Sequence, residues 1–462
     1  MNKFNKSYIL GISLVSAMGG LLFGYDWVVI GGAKPFYERF FDIAQSANLQ
    51  AWAMSCALIG CVIGAVISGV VSDRFGRKWP LLVSAFLFTI ASLGTGMAVS
   101  YAMFVVFRII GGVGIGLASA LSPMYIAEVA PSSMRGRFVS LNQMTIVIGI
   151  LAAQVINLLI AQKVPVGATD AFISASWNGQ IGWRWMFFAC AVPAGVFLIL
   201  TFLLPESPRW LMKAGKAAKA FPTLKKIGGE AYAREEMANI QATLDNVSEK
   251  VDFKSILNPK FRTVLIIGIV LAVFQQWCGI NTVFNYAEEI FTAAGYGVSD
   301  TLFNIVITGS VNLIFTLVAM FTVDKWGRKK LMLFGSVGLA TTYILLGSAF
   351  YFQLKGIAVL SLVVIAIGIY AMSLAPITWV ILSEIFPNRI RGAAMALATF
   401  SLWIACFILT YTFPLLNKGL GAAGTFWVYA GICVIGFLFV MKKLPETKGK
   451  SLEEIEKELV KE

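Results

Sequence analysis

The sequence predicts an all-α membrane protein of twelve transmembrane helices in two six-helix halves. Three observations carry that expectation. Hydrophobic residues fill 58% of the 462 positions and charged residues only 13%, about half the charged share of an ordinary soluble domain. Apolar stretches of roughly 20 residues, the length that crosses a hydrocarbon core of about 30 Å, recur from one end of the chain to the other. Three charged-loop patterns occur twice, at equivalent places in the two parts of the chain.

The first apolar run, residues 8–32, follows only Lys3 and Lys6 and lacks a small-residue cleavage site, so it reads as a retained helix rather than a signal peptide. Within it, Gly19-Gly-Leu-Leu-Phe-Gly-Tyr-Asp26 holds a single carboxylate. Runs 50–71 and 80–99 flank the loop Asp73-Arg-Phe-Gly-Arg-Lys78. Run 102–127 contains Arg108 and Gly112-Val-Gly-Ile-Gly116, which in an apolar span permits close helix approach. The lysine of a phosphate-cradling loop is missing there. Runs 139–162 and 183–204 complete the first half, 1–204.

Residues 205–261 are the long polar stretch. Scattered apolar positions (Leu211, Phe221, Leu224, Ile227, Met237, Ile240, Leu244) predict short amphipathic cytoplasmic helices there. The second half, 262–441, repeats the plan with runs 262–290, 301–323, 331–353, 357–384, 393–416 and 424–441, and a tail covers 442–462. Asp324-Lys-Trp-Gly-Arg-Lys329 repeats the first loop. The spacing E-x-x-P-x-x-x-R-G at Glu128 to Gly136 returns at Glu384 to Gly392, and Pro205-Glu206 returns at Pro445-Glu446.

The formal charge is +13. With both termini cytoplasmic, the 37 Lys and Arg fall on the cytoplasmic side except for Lys34, Arg39, Lys163, Arg184, Lys355 and Lys418, with Arg108 inside a helix. That is the positive-inside distribution, which assigns the basic surplus to topology in a cell (inner) membrane and argues against nucleic acid. The six cysteines all lie in apolar runs without metal spacing, and the chain has no histidine. No metal, no cofactor and no enzymatic nucleophile is expected, and a monomer is the expected assembly.

A duplicated bundle suggests alternating access, with the two halves rocking about a site near the membrane midplane. Matched acidic and basic residues at the cytoplasmic helix ends form the expected latch: Asp73, Arg77, Glu128, Arg135 and Glu206 in one half, and Asp324, Arg328, Glu384, Arg391 and Glu446 in the other. Single exposed pairs contribute about 0–1 kcal/mol, so several together bias a two-state equilibrium without freezing it.

Near the midplane, run 262–290 carries Gln275, Gln276, Asn281, Asn285 and Tyr286, more polar groups than one helical face presents. Gly279 allows a bend between the two pairs of amides. A primary amide has two donors and a two-lone-pair acceptor, which suits sugar hydroxyls; interhelical hydrogen bonding is the alternative role. Gln143 and Asn312 are further amides in apolar runs. Trp379, three residues after Pro376, and Trp403 offer flat faces and an indole donor. Asp26 is costly in the bilayer when ionised unless paired, and Arg108 is the cation read inside a span. The pair is either a protonation switch or a permanent structural contact.

These motifs resemble the sugar porter family of the major facilitator superfamily across essentially the whole chain. The D-[RK]-x-G-R-K loops are similar to the superfamily's loop signature, and Ile110 to Gly116 continuing through Tyr125, Glu128 and Arg135 to the sugar transporter signature. Pro205-Glu-Ser-Pro-Arg-Trp-Leu211 and Pro445-Glu-Thr-Lys-Gly449 resemble the motifs that end each half. GGLLFGYD, FQQxxGIN and SEIFPN are most like the bacterial proton-coupled xylose, arabinose and galactose symporters. The resemblance implies sugar contacts at Gln143, Gln275, Gln276, Asn281, Asn312 and Trp379. It also implies proton coupling at Asp26, where facilitators commonly carry asparagine. Ala375, Leu402 and Trp27 depart from the xylose symporters' pattern, so the sugar preference is expected to differ.

Overall fold

The computed structural model describes residues 4–165, 167–246, 258–387, 390–448, 450 and 452–459. Its long helices are α1 (Lys6–Phe40), α2 (Ala47–Phe75), α3 (Lys78–Gly96), α4 (Tyr101–Val129) and α5 (Arg135–Ile160). After the short α6 (Asp170–Ala175) come α7 (Trp183–Leu203), α8 (Pro208–Lys213) and α9 (Ala217–Asn246). The remainder is α10 (Arg262–Trp277), α11 (Ile280–Asn285), α12 (Ala287–Ala293), α13 (Val298–Trp326), α14 (Arg328–Tyr351), α15 (Ile357–Met372), α16 (Leu374–Ile385), α17 (Arg391–Lys443) and α18 (Leu452–Leu459). Among the described residues, eleven stretches are long and apolar enough to cross a membrane. The last of them, α17, is interrupted at Gly421, whose φ of 70° and ψ of 173° are not helical. Predicted runs 393–416 and 424–441 lie on either side of that break, so twelve crossings fit the eleven stretches.

Local chemistry explains several helix ends. Ser100 accepts from Met103 N–H at 3.2 Å and starts α4; Ser207 does the same for Trp210 N–H with Pro208 at the first helical position of α8. The predicted bend in run 262–290 lies at Gly279, which adopts φ 87° between α10 and α11. That conformation costs a residue with a Cβ about 1–2 kcal/mol. Pro376 acts three residues earlier than its own position: α15 ends at Met372 and α16 starts after Ser373. The proline ring cannot share a turn with the preceding carbonyls.

Two compact units emerge from the packing. The first comprises Met1–Asp26, Ile59–Ile150 and Phe187–Lys250; the second comprises Trp27–Leu58, Leu151–Met186 and Val251–Glu462. In the first unit α3 packs along α4, and Gly64 and Gly116 let α2 and α4 meet backbone to backbone, since a Cβ on either would collide with the other helix. In the described part of 205–261, Leu211, Leu224, Ile227 and Ile240 are buried, and α9 packs through Leu224, Ile227 and Tyr232 on Ile9 at the start of α1. The side chain of Leu244 lies outside the described residues. In the second unit α17 packs on α14 and α10, and α15 on α13 and α14. All six cysteines are buried and unbridged.

Candidate functional site

Each half carries the same charged cap at one end of its helices. In the first unit, Arg77 donates from Nε and Nη2 to both oxygens of Glu128 at 2.9 and 2.8 Å, and Glu128 also accepts from Ser207 Oγ at 2.5 Å. Glu206 accepts from the backbone N–H of Arg77 at 2.8 Å and of Lys78 at 3.3 Å. It therefore places its charge on the N-terminus of α3, where the helix dipole and unpaired N–H groups favour an anion. Gly76 between them has φ 89°, and a Cβ there would occupy the Glu206 carboxylate. Asp73 is exposed and pairs with Lys213 at 3.0 Å.

The second unit repeats this arrangement in its main features. Arg328 Nη2 donates to Glu384 at 3.0 Å, Thr447 Oγ1 takes the place of Ser207 on Glu384 at 2.6 Å, and Glu446 accepts from the backbone N–H of Arg328 and Lys329 at 2.9 and 3.1 Å. Gly327, φ 89°, stands where Gly76 does. The duplicated sequence is thus a duplicated hydrogen-bond pattern, in which the glycine, the arginine, both glutamates and the hydroxyl each have one geometric task. Arg135 does not join it: it is exposed at the start of α5. The side chains of Asp324 and Arg391 lie outside the described residues.

Asp26 and Arg108 meet inside the first unit. Arg108 Nη1 stands 2.8 Å from both Asp26 oxygens, with the two residues 4% and 5% exposed. Arg108 also lies over the Phe187 ring, 5.9 Å from its centre. Neither charge is tolerable alone at such burial, and removing one member of a buried pair costs about 3–5 kcal/mol.

The polar residues of run 262–290 form a directed chain in the second unit. Asn281 Nδ2 donates to Gln276 Oε1, Gln276 Nε2 to Gln275 Oε1 at 2.6 Å, and Gln275 Nε2 to the Tyr370 hydroxyl at 3.0 Å. The break at Gly279 is what lets Asn281 turn back to Gln276. Each amide uses only part of its hydrogen-bonding capacity in this chain, so hydroxyl ligands can be met by both donors and acceptors. Trp403 is buried beside Trp27, ring centres 6.2 Å apart. Asn312 is buried on α13, and Trp379 on α16 is 37% exposed. Gln143 is half-buried on α5, in the first unit. Tyr370 was not anticipated from the sequence, because a tyrosine in an apolar run gives no sign of its partner on another helix.

A second charged cluster was also missed. Helix α1 continues past its predicted end at residue 32, and Lys34, expected in an outer loop, is 1% exposed within it. Arg108 is therefore not the one cation inside a span. Lys34 Nζ lies 3.0 Å from Glu38, 3.7 Å from Glu288 and 2.5 Å from Glu289. The i,i+4 spacing of Lys34 and Glu38, and the adjacent glutamates just past the run's polar face, were the available signals.

The family model described as "Sugar (and other) transporter" matches residues 12–459. The D-xylose-proton symporter of Escherichia coli K12 is 40% identical, covering 98% of this chain and 96% of that protein. The arabinose-proton symporter of Bacillus subtilis is 40% identical over 98% and 95% respectively. The glucose facilitated diffusion protein of Zymomonas mobilis is 34% identical, covering 98% of both. An inward-open structure of the E. coli xylose transporter superposes with a TM-score of 0.85 at 39% identity, covering 98% of this chain and 100% of that one.

Proposed function

We propose that this chain, which belongs to the sugar (and other) transporter family, is a proton-coupled symporter that imports a neutral monosaccharide, a pentose or hexose, by alternating access. It acts as a transporter and not as an enzyme. The reading places it in the inner membrane with both termini cytoplasmic, as a monomer whose partners are sugar, proton and lipid. Its functional division is into two six-helix halves, 1–204 and 262–441, joined by the linker 205–261 and followed by the tail 442–462.

The buried Asp26–Arg108 pair is the observation that carries coupling. When the cavity opens outward and water reaches Asp26, a proton neutralises the carboxylate and releases Arg108. When it opens inward, loss of the proton to the cytoplasm restores the pair. Moving one proton inward yields about 2.3 kcal/mol per 100 mV, enough for about fifty-fold accumulation at about 1.4 kcal/mol per tenfold. Gln143, Gln275, Gln276, Asn281 and Asn312 supply hydroxyl contacts in this reading, and Trp379 and Trp403 supply the apolar faces. The two glutamate–arginine caps latch the cytoplasmic side. The symporters of xylose and arabinose among the relatives support the coupled reading.

A facilitative uniporter of the same fold is the second reading, favoured by the facilitated-diffusion relative and by a pair that stays closed throughout. Sugar added to an unbuffered suspension of cells making the protein distinguishes them. Symport alkalinises the medium as protons follow the sugar; an unchanged pH with sugar entry supports the uniporter.

A further inference from the structure

The Lys34 cluster contains more negative charge than its cations balance. Lys34 faces three carboxylates, Glu38 on its own helix and Glu288 and Glu289 on α12, all within 3.7 Å. Arg39, the neighbouring cation, is committed elsewhere: its Nε and Nη2 reach Asp170 at 2.8 Å and its Nη1 reaches the Pro35 carbonyl. From α2, Gln50 donates to Glu38 at 3.3 Å, which adds no charge. The two tyrosines here are occupied, Tyr37 with Met54 Sδ and Tyr286 with the Thr410 carbonyl. Two cations and four carboxylates therefore leave two negative charges in excess. The Lys34 and Glu38 side chains are only 2% and 5% exposed, and those of Glu288 and Glu289 13% and 22%.

The unmatched oxygens show where that excess resides. Glu38 Oε1 lies near Lys34 Nζ without hydrogen-bond geometry, and neither it nor Glu289 Oε2 has a hydrogen-bond donor, although both atoms are buried. An ionised carboxylate oxygen buried without a donor carries the full desolvation cost, and like charges around one cation cannot all ionise in a dry site. A proton on one of these oxygens removes one negative charge from the cluster and makes that oxygen a donor among neighbouring carboxylates.

We propose that this cluster is a second proton-binding site, separate from Asp26, in which Glu38 or Glu289 takes up a proton as α12 packs against the end of α1. The inference rests on the transport reading for its role: the packed arrangement binds the proton and the separated, hydrated one releases it. Packing of α12 on α1 is accordingly favoured as pH falls, because the state that holds more protons gains stability at low pH. In a symporter that loads from an acidic exterior, the same gradient then protonates Asp26 and favours the packing of α12 on α1.

Infrared difference spectroscopy on purified protein carrying 13C-carboxyl glutamate tests this without any transport step, and the label separates glutamates from Asp26. The expected result is a protonated-glutamate C=O band at neutral pH in the native protein, weakened in Glu289→Gln and lost in the Glu38→Gln, Glu289→Gln double variant. Lys34→Met, which removes the cation that favours ionisation, is expected to move the band's disappearance to higher pH. Absence of the band from the native protein at neutral pH, its survival in the double variant, or a shift to lower pH in Lys34→Met overturns the proposal. The medium-pH assay above reports on the transport reading separately.

Discussion

At the scale of single residues, function depends on groups that are costly to bury and are matched one to one. Asp26 and Arg108 neutralise each other inside the first unit, so Arg108→Leu is expected to lower stability by about 3–5 kcal/mol, measured as a fall in detergent midpoint. The sign follows from leaving Asp26 without its counter-ion. Gln275 holds Tyr370 and receives Gln276. Its replacement by Ala also removes one proposed sugar hydrogen bond worth about 0.5–1.5 kcal/mol, expected as a roughly two- to ten-fold rise in sugar Kd by calorimetry with folding retained. Asp26 and the amides were legible in the sequence because a polar side chain in an apolar run is anomalous wherever it lies. Lys34 was not, since its position four residues ahead of Glu38 fits an ordinary solvent-exposed turn, and only the fold brings Glu289 to it.

At the scale of elements, breaks matter as much as spans. Gly279, Ser373 and Gly421 interrupt α10–α11, α15–α16 and α17, and the first of these returns Asn281 to Gln276. The loop glycines do a related task at the charged caps. Gly76→Ala forces a Cβ into a φ of 89° and into the Glu206 carboxylate. We expect a loss of more than about 1 kcal/mol and faster proteolysis between α2 and α3; Gly327→Ala should behave alike against Glu446. Unchanged stability in both would mean that the glutamates do not cap α3 and α14 as described. The sequence announced these elements through short repeated patterns, whose geometry is local. Pro376 marked the break in run 357–384 but not its location at Ser373, because a proline acts on the turn that precedes it. Arg135 fitted the repeated spacing yet lies exposed, since spacing fixes position along a helix end and not the direction of a side chain.

At the scale of the whole molecule, the proposed latch has the two caps acting on one equilibrium. Glu128→Gln combined with Glu384→Gln replaces charge-assisted bonds by neutral ones in both halves, each about twice as weak. The expected outcome is slower uptake with sugar binding in detergent retained, as the latched state loses population; equal loss of both would point to a folding defect. The twelve crossings and their duplication were legible from hydropathy and repeats, because bilayer thickness and backbone satisfaction leave few alternatives. The sugar's identity was not, since Trp27, Ala375 and Leu402 depart from the xylose symporters' pattern and a departure in sequence names no other sugar. Coupling is tested by uptake of labelled xylose, arabinose, galactose and glucose into vesicles, with and without an imposed proton gradient, for the native protein and Asp26→Asn. Gradient-driven accumulation by the native protein, lost in Asp26→Asn while exchange of sugar persists, is the expected result. Equal equilibration by both proteins regardless of the gradient would contradict it and make the carboxylate a structural partner of Arg108.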